Sequence, residues 1–135
     1  MLGEDNMVVE FSSQEEFAAA RERIRQVLRD LCSEQAELLY VALNEAVNNA
    51  FFHGYCGQKP ALVQISILTN NNELQITVKH DGEGFCDNLS RQKPVPALME
   101  EHGRGLEIIR CCVDNLEHVH EGRELIMRKK LRHYC

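Results

Sequence analysis

The chain has 135 residues, a hydrophobic share of 44% and a formal net charge of -6. That size and composition fit one folded domain, 1–135, with its own core, and exclude a disordered chain. The acidic balance argues against non-specific nucleic-acid binding. No apolar run is long enough to span a membrane, and Met1-Leu2-Gly3-Glu4-Asp5 is not a signal peptide, so a cytoplasmic protein is expected.

In chain order, Met7-Val8-Val9-Glu10-Phe11 is short and β-prone and predicts a first strand. Ser13 followed by Glu16 has the form of a capping box. The helix it opens carries Phe17, Ala20, Ile24, Val27, Leu28 and Leu31 on one face. Arg21, Arg23, Arg25 and Arg29 lie on another face. They read first as a solvated surface, with a partner contact as the alternative. Ser33 is the expected cap of a second helix, with Glu34 and Glu37 near its positive end. Leu39, Leu43, Ala46, Val47, Ala50 and Phe51 recur at helical spacing, and His53-Gly54-Tyr55-Cys56-Gly57 ends the run.

Leu62–Leu68 and Glu73–His80 alternate as strands around the turn Asn70-Asn71-Asn72, which predicts a hairpin. Asp81-Gly82-Glu83-Gly84-Phe85 follows. Residues 86–102 lack periodicity and carry Pro94 and Pro96, which predicts a lid or binding segment. Gly103-Arg104-Gly105 opens a third helix with Leu106, Ile109, Cys112 and Val113 facing inward. Leu116–His120 and Arg123–Arg128 form a closing hairpin, before a basic tail. The order β-α-α-β-β-α-β-β predicts an α+β two-layer sandwich, a mainly antiparallel mixed sheet with helices on one face. Six cysteines show no C-x-x-C spacing, so reduced, mostly buried thiols are expected, with Cys111-Cys112 as a pair able to sense oxidation.

Three features carry chemistry. Glu45 and Asn49 are four apart on one helix face, and His53 lies a turn further on. A carboxylate can act as a general base, and a carboxamide oxygen suits Mg²⁺. The bland alternative is a solvated polar face. Gly82 and Gly84 leave room where a strand ends. Gly103, Arg104 and Gly105 open a helix, where free backbone N–H groups favour an anion. Together these are the parts of a site for a nucleoside triphosphate with a metal. His118 and His120 alternate on one strand face and lack a nearby third ligand for a metal.

The order and wording of these motifs resemble the GHKL ATP-binding fold shared by gyrase and the histidine kinases. More narrowly, they resemble the stand-alone anti-sigma factor serine kinases of bacteria. Glu45-Ala46-Val47-Asn48-Asn49-Ala50 with His53-Gly54-Tyr55 matches the first box. Gly82-Glu83-Gly84-Phe85 matches the second, and Gly103-Arg104-Gly105-Leu106 the third. The resemblance covers nearly the whole chain. It implies ATP and Mg²⁺ as cofactors, Glu45 as the base-like carboxylate, Asn49 as the Mg²⁺ ligand, and 86–102 as a short ATP lid. Gly103 and Gly105 would present backbone N–H groups to the phosphates, with Arg104 as a clamp. His53 would lie close to the site.

The chain departs from that pattern at one point. The family motif is Asp-x-Gly-x-Gly, with the Asp reading adenine. Here His80 holds the Asp position and Asp81 the variable one. Either His80 accepts the hydrogen bond or a strand irregularity brings Asp81 round; alternatively, His80 is a strand-end histidine facing solvent.

The resemblance therefore implies an anti-sigma regulatory factor that phosphorylates a serine of an anti-sigma factor antagonist and holds a sigma factor. Homodimers are common in that group. The rival reading is a non-catalytic module of the same fold, with nucleotide use weakened at His80. A detached histidine-kinase ATP domain is disfavoured, since no dimerisation helices or phosphorylatable-histidine segment precede Met7.

Overall fold

The computed structural model describes residues 4–54, 62–81, 105–119 and 123–131. Strand β1 (Glu4–Phe11) leads into helix α1 (Gln14–Cys32) and helix α2 (Ala36–Gly54). Strands β2 (Val63–Asn70) and β3 (Glu73–His80) follow. Residues 105–112 form α3, and β4 (Asn115–Val119) and β5 (Glu124–Lys130) close the chain. The strands form a five-stranded sheet in the order β1-β2-β3-β5-β4. Every described pairing is antiparallel.

Local chemistry sets most of these boundaries. The Ser13 side chain accepts from the Glu16 N–H at 3.1 Å, which caps α1. Glu16 reaches back to the Ser12 N–H at 2.7 Å, one residue before the usual partner in a capping box. Asn71 and Asn72 take φ of 52° and 64°, so β2 and β3 are joined by a two-residue turn with both central residues left-handed. Asparagine tolerates that conformation better than most residues, which is why an Asn-Asn pair can serve there.

The expected Ser33 cap of α2 is not formed. Ser33–Gln35 is a single 3-10 turn without a side-chain cap, and the Ala36 N–H donates to the Ser33 carbonyl. The chain reverses so tightly after Cys32 that the backbone satisfies its own donors. The first strand also begins earlier than its apolar residues indicate, at Glu4, because backbone pairing with Thr69 continues past them.

The core lies between sheet and helices. β2 turns Val63, Ile65 and Ile67 inward; β3 turns Leu74, Ile76 and Val78; β5 turns Leu125 and Met127. Against them α1 buries Phe17, Ile24 and Leu28, and α2 buries Leu39, Leu43, Ala46, Val47 and Ala50. Each fully buried aliphatic side chain contributes about 1.5–3 kcal/mol relative to exposure. Thr77 is an exception to the alternation. It points to the outer face yet is 8% exposed, flanked in register by Ser66 and Ile126 on the central strand.

Two observations orient α2 over the sheet. Gln35, just before it, donates to the Lys130 carbonyl, and Lys130 pairs with Glu73. At the other end the Phe51 ring lies 5.9 Å from Phe11, which sits in the row Phe11–Val63–His80. The C-terminal half of α2 thus lies over the end of β3.

Asp114 fixes α3. Its N–H donates to the Arg128 carbonyl, and its carboxylate accepts from the Lys130 N–H at 2.7 Å. Gly105, at the start of α3, lies against Glu45 of α2.

Candidate functional site

The site is built on the C-terminal half of α2. The apolar stripe Leu39–Leu43–Ala46–Val47–Ala50 anchors the helix on the sheet. Glu45 and Asn49 then fall one turn apart on one side of the helix, with Glu45 against the start of α3. Glu45 is half-buried, and its carboxylate makes no hydrogen bond or ion pair among the described residues. Asn49 is 8% exposed, and its Oδ1 is buried without a hydrogen-bond partner among the described residues. Leaving such an oxygen unsatisfied costs about 1–3 kcal/mol. A solvated polar face is therefore overturned for Asn49.

Gly105 completes this part of the site. A Cβ built on it would stand 3.2 Å from Glu45 Oε1, closer than most such contacts. The absent side chain lets the start of α3 approach the carboxylate.

His80 ends β3 and is 6% exposed, on the same inward face as Leu74, Ile76 and Val78. The solvent-facing alternative for His80 is thus overturned; the strand keeps its alternation to its last residue. Its N–H donates to the Arg123 carbonyl at 2.9 Å. Asp81 is exposed and held locally. Its carboxylate accepts from the Leu62 N–H at 2.8 Å, and its own N–H donates to the Leu62 carbonyl. This clasp ties the end of β3 to the start of β2, a role that strand patterning gave no means of finding.

The structure therefore brings together Glu45, Asn49 and Gly105, with His80 at the same end of the sheet. His53 lies in the last turn of α2. Gly82, Gly84, Gly103, Arg104 and the lid expected at 86–102 lie outside the described residues, as does His120. No cluster of three or more metal-ligating His, Cys, Asp or Glu occurs among the described residues. An ATP·Mg²⁺ pair fits the donor set present: a buried carboxamide oxygen without a partner, one turn from a carboxylate under a helix start that lacks a side chain.

The cysteines among the described residues, Cys32, Cys111 and Cys112, are free thiols. Cys32 is buried, donates to the Leu28 carbonyl, and is pushed up to about 11 by burial. Burial also raises Cys112, helped by neighbouring Cys111, while Cys111 itself is exposed. His118 is lowered from its ordinary value by burial and by Arg110. No described helix is long and apolar enough to cross a membrane.

Comparison with known proteins agrees with this geometry. Residues 12–129 match the histidine kinase-like ATPase domain. An anti-sigma F factor of Clostridium perfringens is 31% identical over 105 residues, 73% of this chain and 74% of that protein. An anti-sigma F factor of Oceanobacillus iheyensis is 28% identical over 137 residues, covering 94% of this chain and 93% of its own length. A third, from Clostridium acetobutylicum, is 30% identical over 103 residues, 72% of this chain and 71% of its own. With the matched segment running from before α1 into β5, the chain belongs to the histidine kinase-like ATPase domain family.

Proposed function

We propose that this protein is an ATP-dependent anti-sigma regulatory factor that phosphorylates a serine of an antagonist protein and binds a sigma factor. The observation that carries the reading is Asn49 Oδ1, buried without a partner one turn from Glu45. A site that accepts this cost in the free protein gains when a ligand supplies the missing partner. Asn49 would hold Mg²⁺, which when bound offsets phosphate charge.

Glu45 has the environment of a positioned base. It is fixed on a helix and makes no bond among the described residues that would compete for its oxygens. It would accept the proton of the serine hydroxyl as that oxygen attacks the γ-phosphorus and the bond to the ADP oxygen breaks. Gly105 keeps the start of α3 close to that carboxylate, where backbone N–H groups and the helix dipole favour phosphate. The sigma factor partner follows from what the relatives are called, and the antagonist and a homodimer from the resembled group as a whole.

The test is a pair of measurements on one variant. Glu45→Gln keeps shape and hydrogen bonding but cannot take a proton. Calorimetric titration with ATP, with and without Mg²⁺, should give near wild-type affinity. Transfer of radiolabelled γ-phosphate to the antagonist should fall at least a hundredfold. Wild-type protein that binds no ATP would overturn the reading.

One observation favours a second reading, a non-catalytic module of the same fold. The resembled motif reads adenine with an acid. Here that position is a buried histidine, and the adjacent Asp81 carboxylate is engaged by Leu62. Restoring the acid with His80→Asp discriminates the two. A gain in ATP affinity of about tenfold or more, the scale of one charge-assisted hydrogen bond, supports a nucleotide site at this end of the sheet. No adenine nucleotide binding in either form supports the module.

A further inference from the structure

The arginines of α1 play no part in the site above. α1 and α2 lie side by side in antiparallel fashion. Gln14 donates to Asn48 at one end of the groove between them, and Arg29 faces Glu37 at 3.9 Å toward the other. Between these, Arg21 lies over the Phe17 ring at 5.3 Å from its centroid, and Arg25 over the Tyr40 ring at 4.3 Å.

Tyr40 is 6% exposed, and its hydroxyl is buried without a hydrogen-bond partner. The Nε atoms of Arg21 and Arg25 are likewise buried without an acceptor. Burial raises the phenol, and the charges of Arg21 and Arg25 oppose that rise. Three polar atoms without partners thus collect in one groove.

The chain's own acids do not satisfy them. Glu22 forms a loose ion pair with the Arg25 Nη1 at 3.6 Å through a side chain 73% exposed, and the Arg25 Nε keeps no acceptor among the described residues. Glu37 is engaged with Arg29. Arg21 forms no ion pair among the described residues. Two like charges one turn apart on a helix repel each other. Stacking on aromatic rings offsets part of that cost and holds the guanidinium planes, so little side-chain entropy remains to be lost on engaging an acceptor.

We propose that the α1–α2 groove at Arg21, Arg25 and Tyr40 is a docking site for an acidic segment of a protein partner, whose carboxylates engage the two guanidinium groups and accept from the Tyr40 hydroxyl. Charge complementarity selects this occupant. Planar, ring-held guanidinium forks match carboxylates. Glu22 and Glu37 beside the groove, on a protein of net charge -6, disfavour a phosphate polymer. Val41, 41% exposed and next to Tyr40, supplies apolar surface suited to a polypeptide.

The test follows the arginine Nε–H signals by NMR while a hexaglutamate peptide is added at constant ionic strength, with sulfate as the control. Saturable shifts of Arg21 and Arg25, with Arg23 and Arg29 unmoved, are expected. Arg21→Gln with Arg25→Gln should weaken the peptide at least tenfold, and Tyr40→Phe at least threefold. Far-UV circular dichroism checks that each variant is folded. If the double glutamine variant fails to fold, Arg21→Lys with Arg25→Lys keeps the charge and loses the planar fork, and should still weaken binding several-fold. Equal shifts of all four arginines, or undiminished binding by the variants, would overturn the proposal. A sulfate response equal to that of the peptide would mean an adventitious ion only.

Discussion

Asn49 carries a local cost to the fold that the proposed site would recover. Its buried Oδ1 lacks a partner, so truncation removes a liability as well as a side chain. Asn49→Ala is expected to leave the melting temperature of the free protein unchanged or slightly raised. It should abolish the Mg²⁺-dependent part of ATP affinity in a calorimetric titration. Unfolding of the variant would assign Asn49 a structural role instead. Gly105 allows the complementary experiment. A methyl group there meets Glu45 Oε1 at 3.2 Å, and the carboxylate must give by a few tenths of an ångström. Alanine is also the better helix former, by up to about 1 kcal/mol. Gly105→Ala should therefore melt no lower than wild type, while phosphoryl transfer drops about tenfold with ATP affinity little changed. Steady-state kinetics beside thermal melts would separate the two effects.

At the scale of elements, Asp114 joins α3 to β5. The hydrogen bond from the Lys130 N–H holds its carboxyl below the usual value of 3.8; burial opposes this, and Lys129 adds to it. A depressed carboxyl stabilises the fold above its unfolded value and loses that contribution as pH falls through the folded one. Wild type should thus lose more stability between pH 4 and pH 2.5 than Asp114→Asn does. The side chain is 46% exposed, so the difference at pH 7 should stay under about 1 kcal/mol. Urea midpoints at pH 7, 4 and 2.5 would measure it. A second clasp, Asp81 on Leu62, joins β3 to β2 beside the site. Both clasps use a short acidic side chain just past a regular element to satisfy a backbone N–H, as such residues do at turns.

For the whole molecule, ligand binding and stability are linked. A ligand held only by the native state raises stability by about 2.7 kcal/mol at one hundred times its Kd. Saturating ATP with Mg²⁺ should raise the melting temperature by several degrees, and ATP alone by less. In Asn49→Ala the two conditions should give the same shift; a retained Mg²⁺ increment in that variant would remove Asn49 from the metal.

Much of this architecture was legible in the amino-acid order. The apolar spacing of α2, the alternation of β2 and β3, the Asn-Asn turn and the inward residues of α3 all follow from periods of 3.6 and 2.0, which local sterics impose. The pairing of Glu45 with Asn49 on one face follows from the same helical period. What sequence could not settle depended on atoms distant in the chain. Whether Asn49 finds a partner is decided by what the sheet and α3 leave around it. Whether His80 faced solvent stayed open, since a strand end has no helix over it until α2 is laid across the Phe11–Val63–His80 row. The Ser33 cap failed because the link between two packed helices is set by their docking, and a 3-10 turn met that constraint. The arginines of α1 read as a solvated face until Tyr40, on another helix, placed an aromatic ring beneath Arg25. Local periodicity thus determined the elements and their faces. Only tertiary structure decided which polar groups would be buried, because burial is a property of the neighbours that long-range packing supplies.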